Sequence, residues 1–193
     1  VPAQQYTVQK LASKATMPAA GIKQRMLFYF PTITQTTGGF NAINAGATGT
    51  SSALFDSNGA SVAGASFSWT GATSGSTSVR ANPGAYNINL EHVSVQASNL
   101  STSAATVTFT AAFGASFENK TGTMRVTSSS SVAGRLTKIT VGANSAVINA
   151  SGPGVQIVEV PFTFDSSGTL VFTAAPQAPS TFANVSGIEF EFD

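Results

Sequence analysis

The sequence predicts an all-β chain, an antiparallel β-sandwich or jelly roll preceded by an extended N-terminal arm. Three observations carry that expectation. In segment after segment apolar residues recur at every second position, as they do where successive side chains of a strand point to opposite faces. About ten such segments are separated by short turns rich in Gly, Ser and Asn, a spacing typical of two-sheet β folds. After residue 25 no stretch sustains a helical period.

The arm comprises residues 1–25. Val8, Leu11, Ala12 and Ala15 fit one helical face, with Pro18 as a stop, while Tyr6-Thr7-Val8 fits a strand, so its conformation stays open. Residues 26–193 are read as one β-sandwich domain, because no shift in composition marks a second. The first strand candidate, Ile22–Ile33, is apolar on both faces. Met26, Phe28 and Phe30 share one side, and Leu27 and Tyr29 the other. Such a strand is expected to be covered on both sides. Segments 34–52 and 70–85 are expected as long loops, with Ala65, Phe67 and Trp69 on a strand between them. From Tyr86 to Ala97 the apolar parity shifts, from Tyr86, Ile88 and Leu90 to Val93 and Val95. One extra residue produces such a slip, so a bulge is expected at Glu91-His92.

Val107, Phe109, Ala111 and Phe113 alternate with Thr106, Thr108 and Thr110, a β-branched polar face suited to water. Met124–Val126, Leu136–Val141 and Ala146–Ile148 are shorter strand candidates. Phe-Asp-Ser-Asn-Gly at 55–59 and Phe-Asp-Ser-Ser-Gly at 164–168 are near copies. Their Asp can bond the backbone that follows and their Gly supplies a positive φ, so both are expected as turns. The second lies between two runs of alternating Val, Phe and Leu and predicts a hairpin. The chain closes on Gly-Ile-Glu-Phe-Glu-Phe-Asp, where Ile188, Phe190 and Phe192 alternate with Glu189, Glu191 and Asp193. Phe67, Trp69, Phe109, Phe162, Phe164, Phe172, Phe190 and Phe192 form the expected core.

Charge is scarce, at 9% of residues against roughly 25% in ordinary soluble domains. It is also sorted. The first 55 residues carry +4 from Lys10, Lys14, Lys23 and Arg25, and the last 55 carry −5. Opposite signs at opposite ends of a charge-poor chain predict that one end meets the other, either within the chain or between copies. A contact between copies of that kind is heterologous and builds rings or filaments. The expected assembly residues are Lys10, Lys14, Lys23, Arg25, Met26, Leu27 and Tyr29 at one end, and Glu189, Glu191 and Asp193 at the other.

Several function classes find no support. A net charge of +1 is too small to hold a polyanion, so no nucleic-acid partner is expected. The absence of cysteine excludes disulfides and a Cys nucleophile. No apolar run is long enough for a membrane span. The single histidine, His92, adjoins Glu91 on what would be opposite strand faces, a poor base and orienter, so no enzyme and no cofactor are expected. Calcium is the one ion the sequence allows, at the C-terminal carboxylates and the Asn184 loop. Asn99, Asn119, Asn149 and Asn184 each head an Asn-x-Ser/Thr triplet and are candidate glycan acceptors. A chain that begins with Val1 fits a processed, secreted precursor and equally a trimmed piece of a longer chain, and an extracellular or cell-surface location is expected. The expected function is an extracellular structural subunit that binds copies of itself head to tail. In general architecture it resembles pilus subunits joined by an exchanged strand, although no diagnostic motif accompanies the likeness. The alternatives are a viral capsid jelly roll, located in the virion, and a secreted module that binds glycans.

Overall fold

The computed structural model describes residues 24–29, 41–42, 48–71, 77–80, 86–90, 93–97, 99–103, 105–129, 134–150 and 155–192. The strands are β1 (Gln24–Tyr29), β2 (Asn41–Ala42), β3 (Thr48–Phe55), β4 (Ser61–Thr70), β5 (Thr77–Arg80), β6 (Tyr86–Leu90), β7 (Val93–Ala97) and β8 (Asn99–Ser103). They continue as β9 (Val107–Ala112), β10 (Thr121–Ser129), β11 (Arg135–Val141), β12 (Asn144–Ala150), β13 (Val155–Thr163), β14 (Thr169–Pro176), β15 (Phe182–Val185) and β16 (Gly187–Phe192). Among the described residues the helical content is a single 3-10 turn, Ala115–Phe117.

Two sheets dominate. The first runs β13-β10-β16-β1-β2 and the second β12-β11-β14-β9-β4-β3. Smaller ones are β15-β8-β5 and the β6-β7 pair. Pairing is antiparallel except between β1 and β2. The core lies where phenylalanines of the two large sheets meet. Phe28 on β1 stacks on Phe67 of β4 at 4.3 Å, and Phe190 on β16 meets Phe172 of β14 edge-on at 5.8 Å. Phe113, just past β9, meets Phe190 at 5.6 Å, and Phe117 meets Phe192 at 5.1 Å. Edge-on and offset pairs of this kind are worth about 0.5–1.5 kcal/mol each beyond their burial. All eight residues expected in the core are buried. At one margin β12 runs close to β13, and the Asn144 side chain donates to the Pro161 carbonyl at 3.1 Å.

The two Asp turns share one geometry and differ in what they join. Asp56 Oδ1 accepts from the N–H of Asn58 and Ala60, and Asp165 Oδ1 from the N–H of Ser167 and Thr169. Gly59 and Gly168 take φ of 83° and 70°. The first turn closes a true hairpin, since β3 pairs with β4. The second does not, which corrects the expected hairpin: β13 pairs with β10 in one large sheet, and β14 with β9 and β11 in the other. Alternation reports which face of a strand is buried, and strands facing one core from opposite sheets alternate as partners do. The Phe113 N–H donates to the Gly168 carbonyl, and a Cβ on Gly168 would run into the Gly114 carbonyl. Only Gly fits that arch.

Two other expectations change. Residues 86–97 form no bulged strand but a hairpin, with Leu90 opposite Val93 and Tyr86 opposite Ala97. A two-residue connection pairs even positions with odd ones, so it shifts parity just as a bulge does. Glu91 and His92 fall in that connection and lie outside the described residues. The expected loops also contain strands, β3 from Thr48 and β5 at Thr77–Arg80. Their Ser, Thr and Gly give no apolar alternation, and the pairing of β3 with β4 and of β5 with β8 makes the strand.

Candidate functional site

The closing strand is the centre of the first large sheet. β16 lies between β1 and β10, and all six of its residues are buried. Register places Arg25 opposite Glu191 and Leu27 opposite Glu189 on the β1 side. On the β10 side Arg125 stands opposite Glu189 and Thr123 opposite Glu191. The Arg25 carbonyl accepts from the Ser57 N–H at 3.0 Å, so it is turned away from β16. The Arg25–Glu191 pair is therefore a non-hydrogen-bonded one, the kind in which facing side chains come closest.

Two carboxylates and two guanidinium groups meet here. Arg25 Nη2 lies 2.8 Å from Glu191 Oε2, and Arg25 Nε lies 3.7 Å from Glu189 Oε1. Arg125 Nη1 donates to Glu189 Oε1 at 3.2 Å and to Glu191 Oε2 at 3.0 Å, while its Nε reaches Glu159 Oε1 at 2.8 Å. Glu189 is 1% exposed and Glu191 is 5% exposed, whereas the side chains of Arg25 and Arg125 keep 24% and 20%. An unpaired carboxylate buried this deeply would be costly, and the planar guanidinium fork can engage two acceptors at once. Among the described residues two guanidinium groups thus balance the two buried carboxylates, and Glu159 adds a negative charge at the solvent rim.

The carboxylates are covered, which answers what a strand apolar on one face and acidic on the other is doing. Leu27, beside them on the same face of the sheet, is buried too. The backbone of β6 approaches both β16 and β10. Both lateral sides of those strands are taken by sheet partners, so β6 lies against a face. The aromatic core fills the inner face, which leaves the outer one to the β6-β7 hairpin.

Of the expected assembly residues, the fold brings Arg25, Glu189 and Glu191 together within one chain. Met26 and Leu27 are buried in the same chain, Met26 against the core. Tyr29 is opposite Gly187 in register. Lys10, Lys14, Lys23 and Asp193 lie outside the described residues. Arg125 and Glu159 were not among the expected residues: Arg125 lies mid-chain, Glu159 was one acid of the C-terminal group, and only strand register puts them at the seam. Their signal is the alternation of Met124-Arg125-Val126, which sets a lone cation opposite the core face.

Asn119 and Asn149 are exposed, Asn119 at a turn with φ of 56°. Asn99 lies on β8. Asn184 is fully buried, its Oδ1 accepting from Arg135 Nη1 at 3.5 Å and its N–H donating to Thr137 Oγ1 at 2.8 Å. A carboxamide enclosed in the fold has no room for a glycan, which corrects the sequon reading at that position. Calcium at Glu189 and Glu191 would have to displace arginine from both carboxylates. Among the described residues no group of three or more His, Cys, Asp or Glu side chains gathers to hold a metal. No described helix is long and apolar enough to cross a membrane. Comparison with protein-family models and with curated proteins gives no match for this chain.

Proposed function

We propose that this protein is an extracellular structural subunit that self-assembles head to tail, as an open filament, through its N-terminal end. The two large sheets, facing each other across a phenylalanine core, are read as one jelly-roll β-sandwich. The observation that carries the functional reading is the seam itself. In a chain with so few charges, the N-terminal Arg25 and the C-terminal Glu189 and Glu191 are matched to each other at a buried site. Charge of that kind selects register and direction, while apolar contact and backbone pairing supply affinity. Three further lysines precede Arg25, at 10, 14 and 23, so positive charge continues in the sequence on the N-terminal side of the seam. A scarcely charged surface also has little repulsion to keep copies apart.

The glycan-binding alternative loses its best platform, because Trp69 is 2% exposed and packed in the core. Sedimentation velocity from micromolar to millimolar chain tests the reading. The expected result is a concentration-dependent population well above the 19.6 kDa of one chain. A single species of that mass at every concentration overturns it.

A further inference from the structure

The outer face of the second large sheet carries hydroxyl groups in rows. Strand register sets Ser145 on β12, Thr140 on β11, Thr173 on β14, Thr108 on β9 and Thr70 on β4 opposite one another in turn. β3 continues that row in register with Thr48. Two residues along, Val171, Thr110 and Ser68 form a second row, and Thr169, Ala112 and Ser66 a third. Alternation puts the rows on the side away from the core, and the buried ladder of Phe172, Phe109 and Trp69 occupies the positions between the first two. None of the row residues on β4, β9, β11, β12 and β14 is buried, and Val171 is 52% exposed.

This face differs from an ordinary solvated one. The wet side of an antiparallel sheet is usually kept soluble by interspersed Lys, Arg, Asp and Glu. The three rows hold neither a charge nor an aromatic ring, and Lys138 on β11 lies beyond them, opposite Ala175. Threonine is stiff at χ1, so its hydroxyl and methyl are held in place by the backbone beneath. Neighbouring positions are about 4.8 Å apart across the strands and about 6.8 Å apart along them. Twist between strands limits the regular part to the middle of the sheet, where β14, β9 and β4 carry all three rows.

That spacing decides among occupants. An ionic partner has no charge to meet here, and a stacked sugar has no ring. Three strands by three rows cover roughly 300 Å², well short of the roughly 800 Å² that each partner gives a stable protein interface. What the face does match is a lattice of water. Oxygen atoms on a prism face of hexagonal ice repeat in two directions, at lengths close to the strand separation and the two-residue rise. A Ser or Thr hydroxyl both donates and accepts, as a lattice water does. Each such bond is worth little alone, because liquid water offers the same. A growing ice front meets many of them at once, already ordered, so little freedom is lost on contact.

We propose that this face binds ice, the rows through Thr108, Thr110 and Ala112 adsorbing to a prism face and halting its growth. The inference goes beyond the self-assembly reading and does not depend on it, since a chain that stays single still carries the face.

The test is nanolitre osmometry on the full chain, with single ice crystals watched during cooling. Ice binding gives faceted crystals and a gap between melting and growth temperatures that widens with protein concentration. Round crystals with no gap at millimolar protein overturn the proposal. Val171→Lys sets a long, strongly hydrated cation in the second row at an exposed position, so the unfolding midpoint should hold while the gap is lost. Ile157→Lys, at a side chain 50% exposed on the other large sheet, should leave the gap unchanged. A Val171→Lys chain that still shapes ice, or an equal loss in both variants, overturns the assignment to this face. Partition of the labelled parent needs no variant: an ice binder is taken into slowly grown ice, and a chain left wholly in the liquid overturns the proposal.

Discussion

Replacing Arg125 by Met isolates the charge at the seam. Met keeps an unbranched apolar stem but removes the guanidinium that serves Glu159, Glu189 and Glu191 at 2.8–3.2 Å. Breaking a buried ion pair by removing one partner costs about 3–5 kcal/mol. Two features reduce that here. Arg125 keeps a fifth of its side chain in water, and Arg25 remains to neutralise one of the two buried carboxylates. The expected loss is therefore about 2–4 kcal/mol. In urea, with a slope of about 2–3 kcal/mol/M for a chain of this size, the midpoint should fall by about 1 M with the slope unchanged. Adding Glu189→Gln should restore part of the loss, because the buried carboxamide needs no counter-charge. The double variant is expected to be less destabilised than the sum of the singles by about 1–3 kcal/mol. Arg125→Met within about 0.5 kcal/mol of the parent would show that the buried carboxylates do not depend on this guanidinium, as would strict additivity with Glu189→Gln.

Phe28→Ala should cost about 3–5 kcal/mol in the same assay, since it empties an aromatic site touched by rings from both large sheets. Phe55→Ala, at a ring 41% exposed, should cost far less, and equal losses would mean that β1 does not seat its Phe in the core. Gly168→Ala forces a side chain into a left-handed backbone and against the Gly114 carbonyl, so a loss of at least about 2 kcal/mol is expected. Calorimetry should show it as a drop of about 4–8 °C in Tm, and an unchanged Tm would show that the arch relaxes freely. Asp165 is held below the usual carboxylate value of 3.8, first by the Ser167 hydroxyl and then by the backbone N–H of Thr169 and Ser167. Its folded pKa is lowered, so its contribution is present above 3.8 and disappears as pH falls through the folded value. Stability measured from pH 6 to pH 2 should therefore fall less steeply in Asp165→Asn than in the parent. Identical acid limbs would contradict the role assigned to that turn.

What could be read from the sequence followed from local periodicity. Phe67, Trp69, Phe109 and Phe172 declare a buried face by alternation alone, and Asp-Ser-Asn/Ser-Gly declares a turn by its own hydrogen bonding. Partnership between strands is not local. The Asp165 turn joins two sheets and the Asp56 turn closes a hairpin, yet their sequences are nearly identical. What separates them is Phe113, far away in sequence, bonding to Gly168. The parity slip at 90–93 had two physical causes, and only pairing tells a bulge from a hairpin. Ser- and Thr-rich β3 was invisible because its strand character comes from β4. At the seam, the sign of the partner for Glu189 and Glu191 was legible in the division of charge along the chain. Arg125 was not, because its place beside β16 depends on antiparallel register across more than sixty residues.

Negative-stain microscopy of the native protein at high concentration distinguishes filaments from closed shells and single particles. Head-to-tail connection through the N-terminal end predicts unbranched filaments of variable length, with subunits at a constant repeat. Closed shells of uniform diameter would contradict the open geometry and favour a capsid. Isolated single particles at every concentration would contradict self-assembly altogether.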